Sequence, residues 1–224
     1  MKKRIFYGIV VVIIIILIIY FVILLKRGIL LKEDNPIVKE LYQMSHPSKE
    51  VSVLNELYQE NGFTNKYILA VGMKNYLKDY TKESVNKQEL EKSIYDIFGD
   101  SIIFTNEDFD LHSNGICGYT YNKDTHTYEQ LIECSENKNE SYEQKIMSTN
   151  KVGNKIIIRE KVLFLVKEDK TFVYTSFDKK DLIAEIENDL YEKEDYIDKG
   201  CTYEYTFIST NKNYILQDVH IIEE

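Results

Sequence analysis

The chain has 224 residues, 28 of them Lys or Arg and 37 Asp or Glu, for a formal net charge of −9, with three cysteines and no tryptophan. Five basic residues (Lys2, Lys3, Arg4, Lys26 and Arg27) flank one apolar run, which leaves 23 against 37 acidic residues elsewhere. That balance repels phosphate backbones and anionic surfaces, and with no basic stripe it argues against nucleic acid as a partner.

The first element is the run from Ile5 to Leu25, which carries no charge. As a helix rising about 1.5 Å per residue it spans about 31 Å, one hydrocarbon core. It is longer than the apolar region of a cleavable signal, ends in Leu24-Leu25-Lys26-Arg27, and has only Gly28 as a nearby small residue. The expectation is an uncleaved single-pass anchor over 5–25 after an n-region over 1–4. Three basic residues sit on a very short tail, whereas the long C-terminal part is acidic. This places the N-terminus in the cytoplasm and the rest outside the cell membrane.

Residues 26–35 read as a tether, and 36–224 as a single extracytoplasmic domain, long enough for a real core. Its first part, 36–99, reads as helical. Asn35 caps a helix opened by Pro36, with Ile37, Leu41 and Met44 on its stripe and its end before Pro47. Val51, Leu54, Leu57 and Tyr58 have helical spacing after Ser48. A helix starting at Thr64 or Asn65 has Ile68, Val71, Gly72, Asn75 and Tyr76 on one side. Asn86 caps another, with Glu89 three residues on, a stripe of Leu90, Ile94, Ile97 and Phe98, and Gly99 as the stop.

A loop is expected over 105–114, and from 115 to 224 the pattern is mainly β. Residues 116–121 and 128–134 read as a hairpin, 142–149 and 155–167 as a second pair joined at Asn150–Asn154, and 171–177 as a further strand. Asp178 reads as the cap of a helix near 178–197 with Leu182, Ile183, Ile186 and Leu190 on its apolar face. The segments 202–210 and 214–222 form a last hairpin. The class is α+β, with helices packed on a curved antiparallel sheet, and by fold analogy a cone of the cystatin or nuclear-transport-factor type.

The anchor, then "KYILAVGMKNYL", "IYDIFGDSI", "ICGYTYNKDTHTYEQLIEC" and a late "YEYTF", together resemble uncharacterised single-pass surface proteins of low-GC Gram-positive bacteria. The resemblance covers most of the chain. It implies location and architecture, and no activity.

Cys117 and Cys134 sit near the two ends of the first hairpin. Placing them opposite each other pairs Tyr119 with Ile132 and Tyr121 with Gln130, and puts both apolar sets on one face. Opposed residues lie within disulfide reach, so an exported domain would be expected to bond them; two buried thiols are the alternative. No Cys-x-x-Cys or His-x3-His spacing gives a metal site from Cys201, His112, His126 and His220, and none is expected. "DFDLHSNG" fails as a calcium loop in both registers, because the twelfth position is Tyr119 or Tyr121. No catalytic signature is present and no cofactor is implied; Cys201 with His220 is the most imaginable nucleophile pair. Tyr119, Tyr121, Tyr174, Tyr203 and Tyr205 are candidates to line the concave face of the sheet and hold a ligand or peptide; the alternative is that they only pack on the sheet, which tyrosine suits.

The function expected is a membrane-anchored extracytoplasmic binding or scaffold module, whose partner is another envelope protein or a small ligand. The alternatives are an envelope hydrolase with a site invisible in sequence, and a structural part of an envelope assembly.

Overall fold

A computed structural model describes residues 13–17, 28–46, 63–78, 80–113, 116–131, 139–175, 179–211 and 213–222. Most of the anchor run and all of the second expected helix lie outside these residues. Within the run, 13–17 are helical and exposed. No helix among the described residues is long and apolar enough to cross a membrane.

The elements follow in the order β1 (Ile29–Leu30), α1 (Pro36–Ser45), α2 (Asn65–Leu77), β2 (Ser84–Asn86), α3 (Lys87–Phe98), β3 (Phe109–Ser113), β4 (Ile116–Asn122), β5 (Thr127–Leu131), β6 (Glu140–Val152), β7 (Lys155–Lys167), β8 (Lys170–Tyr174), β9 (Leu182–Glu187), β10 (Cys201–Ser209) and β11 (Tyr214–Ile222). The class is α+β with antiparallel pairing throughout the described sheets. There are two such sheets rather than one, of seven and of four strands.

The helices form where the caps dictate. The side chains of Asn35, Thr64 and Asn86 each accept a backbone N–H of the first turn they open. Gly99 ends α3 at φ 81°, a left-handed conformation that suits glycine. The stripe of α3 is the expected one. That of α1 is turned by one residue: Val38, Leu41 and Ser45 are buried, while Ile37 is exposed. Helix α2 is buried at every residue from Tyr67 to Met73, so it lies inside the domain rather than on its surface.

β7 organises the larger sheet. β6 pairs along its whole length on one side. On the other side β10 pairs with its first part, from Cys201↔Val162 to Ile208↔Lys155, and β8 takes over from Phe164 onward. Ile156, Ile158, Val162 and Phe164 face the main core together with Tyr203, Tyr205 and Phe207 of β10. On the opposite face Leu163 and Leu165 join Val173 and Ile197 in a second, smaller core.

Three expectations are corrected. The segment expected as a helix near 178–197 contains strand β9, paired Val173↔Ala184 and Thr171↔Ile186, followed by short 3-10 turns. Its stripe suits either state, but β8 offers an unpaired edge and the second core takes in Ile183, Ala184 and Ile186, so tertiary pairing overrides the local pattern. The loop over 105–114 contains β3, which pairs Phe109↔Tyr119 and buries Phe109 and Leu111. The tether contains β1, paired Ile29↔Lys151 and Leu30↔Asn150, because the edge of β6 supplies partners for its backbone.

Candidate functional site

The most unusual group in the core is Glu160, a carboxylate at the middle of the apolar face of β7 with no solvent exposure. Burying an isolated carboxylate is very costly, so its partners matter. His46, the residue that ends α1, places Nε2 2.9 Å from Glu160 Oε1. Tyr205 donates to the same oxygen at 2.6 Å, and Tyr42 donates to Oε2 at 2.5 Å.

Local folding sets each of these groups. Tyr42 and His46 are four residues apart at the end of α1, so they share one side of the helix, and their rings stack at 3.9 Å. His46 Nδ1 lies 2.7 Å from the Tyr42 carbonyl and 3.0 Å from Ser45 Oγ, which fixes the ring. Tyr67 of α2 donates to the Ser45 carbonyl at 2.6 Å, and Asn75 Nδ2 to that of Met44 at 3.0 Å. These bonds satisfy carbonyls that the end of α1 leaves without helical partners. The turned stripe of α1 follows, since its end presents Tyr42 and His46 to the sheet and Ser45 to α2. Beside Glu160, β6 skips Met147 in the ladder between Ile146↔Glu160 and Ser148↔Arg159, a bulge next to the buried charge.

Burial pushes the Glu160 carboxyl up, but His46 and the hydrogen bonds from His46, Tyr205 and Tyr42 outweigh it and hold the group below the usual carboxylate range. Burial, with the Glu160 charge second, pushes the phenols of Tyr42, Tyr67 and Tyr205 well above their ordinary range. The cluster therefore holds the Glu160 carboxylate inside the core among His46, Tyr205 and Tyr42. With Glu160 closed to solvent and both its oxygens occupied, the arrangement joins α1 to the sheet.

Of the residues singled out from sequence, Tyr205 belongs to this cluster and the others play no part in its hydrogen bonds to Glu160. The five tyrosines do not form one face: Tyr119 and Tyr121 are on β4 of the smaller sheet, and Tyr174, Tyr203 and Tyr205 are in the larger one. Tyr119, Tyr203 and Tyr205 are fully buried, and Tyr119 donates to the Lys82 carbonyl at 2.9 Å. These three are core residues rather than the lining of an open concavity.

Cys201 and His220 are not a pair. Cys201 points into the core with Sγ 3.7 Å from the Val162 carbonyl, and burial pushes its thiol up to about 12. His220 stands opposite Glu204 on the other face, 3.1 Å from Asp218. His126 sits in the β4–β5 turn at φ 55° and its ring meets Tyr121 Oη at 3.2 Å. His112 lies on β3. Among the described residues no group of three or more His, Cys, Asp or Glu is arranged to hold a metal ion.

The β4–β5 register is two residues from the expected one, with Tyr119↔Gln130 and Tyr121↔Tyr128. The turn runs over Lys123 to His126, where Asn122 Oδ1 accepts from the backbone N–H of Asp124 and Thr125. A shift of two keeps every side chain on its expected face. The ladder is described as far as Gly118↔Leu131; Cys117 is buried, and Cys134 lies outside the described residues.

Comparison with known protein families, with characterised proteins and with solved structures finds no match.

Proposed function

We propose that this chain is a membrane-anchored extracytoplasmic module that binds or scaffolds another envelope protein or a small ligand. The observation that carries the reading is the uncharged run from Ile5 to Leu25, followed after only Lys26 and Arg27 by a chain already pinned to a folded domain at Gly28. An acidic domain kept at a surface and lacking catalytic signatures fits a binding role better than chemistry. The resemblance to single-pass surface proteins points the same way.

A disulfide between Cys117 and Cys134 belongs to this reading. It is supported by the burial of Cys117 on β4, the strand paired with the one that leads towards Cys134, in a chain with three cysteines of which Cys201 is free. Such a bond suits an oxidising compartment and in the chain-entropy model contributes about 3 kcal/mol.

Extraction of membranes from expressing cells with alkaline carbonate tests the anchor. The full chain is expected in the pellet, and a variant lacking residues 1–27 in the supernatant. Release of the full chain by carbonate overturns the proposal. Peptide mapping after blocking thiols before lysis tests the disulfide, and an alkylated Cys117 would remove it.

A further inference from the structure

We propose that the turn between β6 and β7, with Lys151, Asn154 and Lys155, together with the adjoining exposed strand Ile29–Leu30, is a lipid-contact surface that rests on the headgroups of the bilayer holding the anchor. This inference rests on the anchor reading of the preceding subsection.

Chain length gives the first argument. The apolar run ends at Leu25, and Gly28 is already fixed at φ 72°, so close to β6 that a Cβ would lie 2.7 Å from the Lys151 carbonyl. Three peptide steps reach at most about 11 Å. The headgroup region on each side of a bilayer is roughly 5–8 Å deep. The domain therefore begins at the headgroups, without a flexible spacer to lift it away.

Strand direction gives the second. β1 runs antiparallel to β6, with Ile29↔Lys151, Leu30↔Asn150 and then the Leu31 N–H donating to the Thr149 carbonyl. The chain thus enters beside the β6–β7 turn and travels away from it, so this turn is the end nearest the membrane. The start of the β10–β11 turn lies at the same end, since Ser209 N–H donates to the Asn154 carbonyl at 2.8 Å. That second tip reaches α3 through Asn213 Nδ2, which donates to the Asp96 backbone carbonyl at 3.2 Å.

Charge gives the third. Residues 150–155 and 208–214 contain no Asp or Glu, in a chain with 37, and the exposed acids of the adjoining end of α3, Asp96 and Asp100, lie beside the second tip and not the β6–β7 turn that bears the contact. Ile29 and Leu30 are 66% and 72% exposed beside Lys151. β7 carries the sheet through 13 residues to its far end, about 40 Å away. There Glu168 and Asp169 form the next turn, and Asn188 of the segment carrying Glu187 and Asp189 donates to both their carbonyls. An anionic leaflet repels the far end and tolerates the near one, which orients the domain upright.

The test uses the full chain with one added cysteine, Asn154→Cys or Asp169→Cys, labelled with an environment-sensitive dye in the folded state, where Cys201 is half-buried with its Sγ against the Val162 carbonyl. The protein is reconstituted into vesicles of phosphatidylcholine and phosphatidylglycerol that carry a headgroup-tethered quencher. Quenching several-fold stronger at 154 than at 169 is expected, and adding Lys151→Glu and Lys155→Glu should lower it at 154. Equal quenching at the two positions, in protein that floats with the vesicles, overturns the inference and leaves the anchor standing. Failure to float overturns both. Both labelled positions are exposed turn residues, and matching circular dichroism spectra confirm that the variants are folded.

Discussion

His46 Nε2 and Glu160 Oε1 lie 2.9 Å apart across 114 residues of sequence, and this contact fastens the end of the first helix to the centre of the larger sheet. Removing one partner of a buried pair leaves the other charge uncompensated, at a cost of about 3–5 kcal/mol. His46→Ala is therefore expected to destabilise the domain by about that much. Tyr205→Phe, which removes one hydrogen bond to a charged group, should cost about 1.5–3 kcal/mol. Urea unfolding of the single and double variants checks both, and the two losses should fail to add because the residues share one carboxylate.

Stability should fall in strong alkali. The phenols of Tyr42, Tyr67 and Tyr205 have folded-state pKa values above the ordinary value of 10.0. A raised pKa contributes stability that is complete below the unfolded value and is lost as pH rises through the folded one. Tyrosinate absorbance should therefore appear in two stages above pH about 10, the later one coincident with loss of the circular dichroism signal. Glu160 has the opposite sign: its depressed pKa contributes above the unfolded value and is lost as pH falls through the folded one.

Gly72→Ala should destabilise the helical layer even though alanine is the better helix former by about 1 kcal/mol. A Cβ there would stand 2.4 Å from Ile94 Cγ1 of α3, too close for any ordinary contact. Forcing α2 and α3 apart costs about 1–3 kcal/mol, so crowding outweighs propensity. Thermal unfolding of the variant is the check, with a lowered Tm expected.

Cys201 should be inert in the folded protein. Burial pushes its thiol up to about 12, so almost none is thiolate at pH 8. A thiol reagent is expected to modify it only as fast as the domain opens, with denaturant accelerating the reaction. Rapid modification under native conditions would contradict this placement.

Much of the architecture is legible in the residues, and the reasons are local. The caps Asn35, Thr64 and Asn86 and the stop Gly99 act within a few residues of themselves. So does the alternation in β7. The strand β9 was hidden because Leu182, Ile183 and Ile186 fit a helical stripe as well as a strand, and only the edge of β8 decides between them. The core cluster had one visible signal, a glutamate at the inward parity of a strand between Ile158 and Val162. Its partners were not visible, because His46 and Tyr205 reach it from distant parts of the chain. Tyrosine suits an open sheet face and a packed one alike, so the residues do not say which it occupies; Tyr203 and Tyr205 fill the core, where the Tyr205 phenol satisfies a buried charge.

The proposed anchored domain outside the cell membrane is tested by labelling intact cells with a membrane-impermeant amine reagent. Exposed lysines of the domain, such as Lys123 and Lys179, are expected to be modified in intact cells as fully as after permeabilisation. Modification only after permeabilisation would place the domain in the cytoplasm and contradict the account.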